Sequence, residues 1–321
     1  MKTIVRYNPS ITSLNLGDSI ILDSIEYEMK DVFKDNFIVD VSSHLPVSFI
    51  FTRLLENADY KFVCGSNLLS GRIENVLARQ WAISLLNAKK LGPAILVGAG
   101  WQKYNDNPNF YTKKVYQKIL SNEYIHSVRD EYTESCLRKC GINNVISTAC
   151  PSMWRFTPEF CEAIPQKKAN SVVTTITDYS VDIEKDKQMI ETLLSLYENV
   201  YVWLQGYKDE AYLNELTSDE RLKRVAPNLK AFDDVLDMED IEFVGTRLHA
   251  GMRALQHQKR SVILSIDNRA KELNKNYNIN IIEREEVGSL KDYLLSDIKT
   301  NINIPIEEIT LWKNQFEELK K

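Results

Sequence analysis

The chain has 321 residues, with 40 Lys and Arg against 45 Asp and Glu, for a formal net charge of −5. That length suggests two domains or one large one, and 44% hydrophobic with 26% charged residues is a globular composition that excludes disorder as the main state. The acidic balance argues against a nucleic-acid surface, which needs excess cations to neutralise phosphates, but it leaves room for a local basic pocket holding a small anion.

From the amino terminus, short β-rich runs alternate with helical patterns. Strands are expected over 2–8, 37–42, 60–66, 93–100, 125–130 and 144–150. Between them, apolar residues recurring at three and four predict helices over 19–33, 75–90, 110–122 and 131–140. The alternation pauses at 155–171, where Pro158 and Pro165 interrupt a stretch of little periodicity, and this is the expected linker. It resumes with strands over 171–177, 199–206, 242–245, 261–266 and 279–284, and helices over 186–197, 210–216, 246–258 and 269–277. An amphipathic helix over 305–321 closes the chain. Regular strand–helix alternation implies parallel sheets with helices on both faces. The expected organisation is α/β, with Rossmann-like domains over 1–160 and 168–304 facing a cleft, ligands lying beyond the carboxyl ends of the strands.

No apolar run approaches the roughly 18 residues of a membrane span, although peripheral membrane association stays open. The amino terminus reads as a first strand rather than a signal segment. Cys64, Cys136, Cys140, Cys150 and Cys161 form an odd set without disulfide or zinc spacing, which predicts reduced thiols in a cytoplasmic protein.

Three strand-to-helix turns carry cations. In 244–255 a strand ends at Gly245, Thr246 is placed to cap the next helix, and Arg247, Leu248 and His249 follow in its first turn. First-turn N–H groups lack intrahelical partners and the dipole makes that end positive, so a guanidinium and an imidazole there build an anion site. The alternative is a capped helix with a solvated Arg and a packed His. The strand 261–266 repeats the device, leading through Asp267 and Asn268 to Arg269 and Lys271. Arg129 follows the strand closing at Val128, beside Asp130 as a helix cap. It either enters the cleft or pairs with Asp130 or Glu131. Gly17 and Asp18 precede a helix, and glycine-bearing turns surround Asn67 and the Gly100, Trp101, Gln102 run. These turns have no GxGxxG spacing, so a nicotinamide fingerprint is not supported, and P-loop, HExxH and nucleophile-elbow motifs are absent. Trp101, Trp154 and Trp203 are either core residues or flat surfaces for a sugar ring.

The chain resembles the polysaccharide pyruvyl transferases. The matching pieces run in order: Asn15-Leu16-Gly17-Asp18, the CGSN stretch at 64–67, VGAGWQ at 97–102, SVRDEYT at 127–133 with Gly141 after its helix, VGTRLHAGMRALQ at 244–256, and ILSIDNR at 263–269. The resemblance implies a fold like the B-type glycosyltransferases, with the last helix crossing back to the first domain. It implies transfer of the enolpyruvyl carbons of phosphoenolpyruvate onto two hydroxyls of a sugar, giving a cyclic ketal in cell-surface polysaccharide biosynthesis. Arg129 would hold the donor carboxylate, and Arg247, Leu248 and Arg269 would bind the donor, with Arg269 standing where many members have Lys. His249 would be the general acid or base. Gly17, Asp18, Asn67, Trp101 and Gln102 are candidates for the substrate loops. The acceptor is a sugar, lipid-linked or nucleotide-linked. Neither a metal nor a cofactor is demanded. Two departures stand out: Cys64-Gly65-Ser66 replaces consecutive glycines, and Cys150 precedes Pro151 where many members have Asp-Pro. The competing readings are a nucleotide-sugar glycosyltransferase, with Glu283 or Glu286 on the ribose, and a non-catalytic sugar- or anion-binding relative.

Overall fold

A computed structural model describes residues 1–76, 79–104, 106–266 and 274–320 of the chain. Two compact units emerge, one formed by Met1–Ser13, Ile21–Trp154 and Pro305–Lys321, the other by Leu14–Ile20 and Arg155–Ile304.

In the first unit, β1 (Thr3–Asn8), β2 (Phe37–Ser42), β3 (Tyr60–Cys64) and β4 (Ile95–Val97) form a parallel sheet in the order β2-β1-β3-β4. A second parallel pair, β5 (His126–Val128) and β6 (Val145–Ser147), continues from β4. The junction joins a backbone bridge, Arg129 N–H donating to Ala99 O at 3.1 Å, to two side-chain bonds: Leu96 N–H donates to His126 Nδ1 at 3.3 Å, and Gly98 N–H to Ser127 Oγ at 2.8 Å. The strands read as near-continuous apolar runs because helices cover both faces. These include α1 (Gly17–Glu28), of which Ile21–Glu28 belong to this unit, α2 (Lys30–Phe33), α3 (Phe49–Glu56), α4 (Ala88–Leu91), α5 (Phe110–Ile119) and α6 (Glu131–Lys139). The helix Ile306–Asn314 also belongs here: Trp312 Nε1 donates to Ile125 O at 2.8 Å, and Phe316 packs edge-on against Phe62.

Two expectations for this unit change. Among the described residues, the helix expected over 75–90 is confined to α4, and Trp81 and Ile83 are buried in the core ahead of it. Ala82 N–H instead reaches Ser43 O at 2.8 Å. α3 was not foreseen, although Ser48 caps it by accepting from Phe51 N.

The buried His126 has an acid consequence. Its Nδ1 accepts from Leu96 and its Nε2–H donates to Ser121 O at 2.9 Å, so the ring is held neutral, and burial pulls its pKa down from 6.5 to about 4. Between those values the unfolded chain binds the extra proton. Stability from this group is therefore complete above pH ~6.5 and lost as pH falls toward ~4, by up to about 3 kcal/mol. Urea unfolding of His126→Asn should show a flatter acid limb than wild type; parallel limbs would refute this.

The second unit holds one six-stranded parallel sheet in the order β12-β11-β10-β7-β8-β9. Its strands are β7 (Ser171–Thr174), β8 (Asn199–Trp203), β9 (Leu222–Val225), β10 (Ile241–Gly245), β11 (Ser261–Ser265) and β12 (Ile281–Glu283). The helices are α7 (Pro158–Glu162), α8 (Ile183–Leu196), α9 (Asp209–Leu216), α10 (Leu229–Leu236), α11 (Leu248–Gln256) and α12 (Leu290–Leu295). β9 and α10 escaped the sequence reading: β9 buries only its end residues, Leu222 and Val225, as an edge strand does. The chain crosses from β9 back to β10 beside β7, so the strand order reverses between β7 and β10. At such a reversal the crevice beyond the carboxyl ends is the preferred ligand position. At the amino end of β10, Glu242 and Arg260, each 1% exposed, pair at 2.9 Å, and Tyr197 O–H donates to Glu242.

Candidate functional site

The β7/β10 reversal is built from threonines and one arginine. Thr246 N–H donates to Thr175 O at 3.1 Å, Arg247 N–H to Thr175 Oγ1 at 3.2 Å, and the Thr177 and Thr246 hydroxyls meet at 2.8 Å. Thr246 is thus spent between strands. Arg247, not Thr246, occupies the cap position of α11, with no side-chain cap bond. Leu248 and His249 follow in the first turn, both half-buried.

Arg247 differs from the expected open cation. Its side chain is 3% exposed and turns back into the unit. Nε donates to Ile176 O at 2.9 Å, and Nη2 donates to Asp178 at 2.8 Å and to Asp209. The Tyr179 ring lies 5.0 Å from the guanidinium carbon. The guanidinium thus lies between two carboxylates of its own unit, which oppose its charge. Burial pushes the Asp209 carboxyl above the ordinary carboxylate range, while Arg247 opposes the rise. The loop backbone closes over this pair at Gly206, where a Cβ would lie 2.4 Å from Arg247 Nη2.

The Gly17 and Asp18 turn is tied to the loop after β8. Gln205 Nε2 donates to Asn15 Oδ1 at 2.8 Å, Leu16 N–H to Gln205 O at 3.0 Å, and Tyr207 N–H to Leu14 O at 3.0 Å. Asn15 Oδ1 also accepts Gly17 N–H at 3.0 Å, so α1 starts at Gly17, and Asp18 lies in its first turn rather than capping it. Asn15, Asp178, Gln205 and Asp209 join these turns without a motif that singles them out as site residues. Asp178 and Asp209 had a usable signal, since each follows a strand end within a few residues, where the arginines were sought.

In the first unit, Arg129 leaves the carboxyl end of β5. Its Nε donates to Asp130 at 2.9 Å and its Nη1 to Asn67, and its side chain is 15% exposed. Asp130 also caps α6, accepting Thr133 N–H at 2.7 Å. The guanidinium lies flat on Gly100, whose Cβ would fall 2.5 Å from Arg129 Nε, so only glycine admits it. Arg129, Asn67 and Gly100 therefore come together. Trp101 does not offer its ring: it is 2% exposed against Tyr116, with Nε1 donating to Asp106 O at 3.1 Å. Gln102 is half-buried beside it, its N–H donating to Leu69 O at 2.7 Å. Trp154 and Trp203 are likewise buried in the core. Arg269 lies outside the described residues. Glu283 ends the edge strand β12, two strands from β10, and Glu286 is exposed beyond it. All five cysteines are buried thiols, with Cys64 and Cys140 pushed up to about 12 by burial. Among the described residues, no helix is long and apolar enough to cross a membrane.

The parallel sheets and the strand-end turn after β10 define an α/β protein of Rossmann-like type. Within that class the chain belongs to the polysaccharide pyruvyl transferase family, whose pattern matches residues 15–268. A comparison with curated proteins finds no match. Among solved structures it is similar to UDP-GlcNAc 2-epimerase of Methanocaldococcus jannaschii in complex with UDP-GlcNAc and UDP, with a TM-score of 0.52 and 14% identity over 99% of this chain and 98% of that one. It is similar also to MnaA of S. aureus with UDP, with a TM-score of 0.52 and 12% identity over 99% and 98% of the two chains. At such identities the likeness is one of fold.

Proposed function

We propose that the chain transfers the pyruvyl group of phosphoenolpyruvate to two hydroxyls of one sugar, forming a ketal and releasing phosphate. Two sugar oxygens bond to C2 of the donor, and the C2–O bond to phosphate breaks. One hydroxyl proton ends on the methylene carbon, which becomes methyl, and the other leaves with the phosphate. The observation supporting this reading is His249, half-buried in the first turn of α11 where the sheet order reverses. An imidazole titrates near neutrality, and first-turn N–H groups stabilise charge on a departing phosphate. In this reading His249 moves the proton, Leu248 and α11's first-turn N–H groups bind the donor with Arg269, and Arg247 holds their turn. Asp18, Asn67 and Gln102 serve the acceptor.

Arg129 holds the donor carboxylate. A charge-assisted hydrogen bond contributes about 1.5–3 kcal/mol, so Arg129→Ala should raise KM for phosphoenolpyruvate ~10–100-fold while the protein stays folded. An unchanged KM would remove Arg129 from the donor site. The functional test is acceptor-dependent phosphate release from phosphoenolpyruvate, with the ketal product identified by mass. Release of a nucleoside diphosphate from a nucleotide sugar instead would reverse the assignment.

A further inference from the structure

We propose that Asp209 is a positioning residue for His249, acting through Arg247; this rests on the reading of His249 as the proton-transfer group. Asp209 opens α9 and is 0% exposed. Its Oδ2 accepts Gln205 N–H at 3.1 Å and Gly206 N–H at 2.6 Å, and its Oδ1 accepts Asp178 N–H at 3.3 Å and the Arg247 guanidinium. None of these donors belongs to α9, so the carboxylate is not capping its own helix. It gathers the loops after β7, β8 and β10 onto one side chain.

The link to His249 is short. Arg247 is the cap residue of α11, and His249 is the second residue of that helix. Whatever fixes Arg247 fixes the entry of α11, and so the direction from which the imidazole leaves the backbone. Arg247 is fixed at both ends: its N–H on Thr175 Oγ1, its Nη2 between Asp209 and Asp178. A guanidinium is a planar fork with set donor directions, so a buried carboxylate orients it in a way apolar packing cannot. Through Asp209 the same network reaches the Gln205–Asn15 clasp and the Gly17 turn.

The test compares Asp209→Asn with Glu242→Gln. The second variant removes an equally buried arginine partner at the opposite end of the same strand. Two readouts are taken. One is kcat per folded molecule in phosphoenolpyruvate-dependent phosphate release. The other is the imidazole NMR resonance of His249, assigned by its loss in His249→Gln. Asp209→Asn should move the resonance and lower kcat ~10–100-fold, the scale of an ångström's misplacement of a reacting group. Glu242→Gln should leave both at wild type. Either readout unchanged in Asp209→Asn, or both variants acting alike, overturns the proposal. If Asp209→Asn does not fold, Asp178→Asn removes the second carboxylate on the same nitrogen and is judged by the same outcomes. A wild-type protein without turnover would refute the pyruvyl-transfer reading, and the resonance comparison alone would then decide the positioning role.

Discussion

His249→Ala is expected to lower turnover ~10²–10⁴-fold, the range for loss of a positioned general acid or base, with the melting temperature close to wild type. The expectation of an intact fold follows from position. His249 sits in a first helical turn, half-buried, and alanine is the best helix former for such a site. Phosphate release from phosphoenolpyruvate in the presence of an acceptor sugar reads the first effect and thermal unfolding the second. A variant that turns over at the wild-type rate would remove His249 from the mechanism.

Arg247→Met has the largest expected effect on stability. Methionine fills most of the arginine's volume but supplies no charge, leaving Asp209 at 0% exposure without its cation. An uncompensated buried carboxylate costs about 3–5 kcal/mol, and Ile176 O loses its guanidinium donor as well. The pH dependence has a definite sign. The folded carboxyl already lies above its ordinary value, and without Arg247 it rises further, so the folded variant holds a proton that the unfolded chain has released. The deficit should therefore shrink as pH falls toward the ordinary carboxylate range. Adding Asp209→Asn to Arg247→Met should recover much of the loss, because the stranded charge is gone, and a double-mutant cycle in urea unfolding measures that recovery. An Arg247→Met protein as stable as wild type, or a double variant worse than the sum of the singles, would show that the pair is not coupled in this way.

Much of the fold was legible because parallel strands covered on both faces read as apolar runs. Val172 and Val173 in β7, or Ile263 and Leu264 in β11, are fully buried and stand out without any partner in view. Helices with a polar face, such as α5, declare themselves by period. The helical period misleads around Trp81 and Ile83, which lie in a stretch of helical composition although Ala82 N–H pairs with Ser43 O rather than along a helix. The pattern misleads also at β9, where Lys223 and Arg224 lie exposed between two buried ends. Of the site, the strand-to-helix turns at Arg129 and Arg247 were found from local chemistry. Their partners were not: Asp209 lies 38 residues from Arg247, and Asp178 lies 69.

What the sequence determined by itself was local: alternating strands and helices, a cation-bearing turn after β10, an Asp130 cap after β5, and the family's motifs in their order. Each depends on residues within a turn or two of one another, where period and capping chemistry act. Only the tertiary structure decided which way the cations face. Arg247 became an internal strut because the return from β9 sets β10 beside β7, where the β7 and β8 loops carry Asp178 and Asp209. Arg129 lies on Gly100 with Asn67 beside it for the same kind of reason. A side chain's charge is written in the sequence, but the field it meets is summed over neighbours that the strand order brings together.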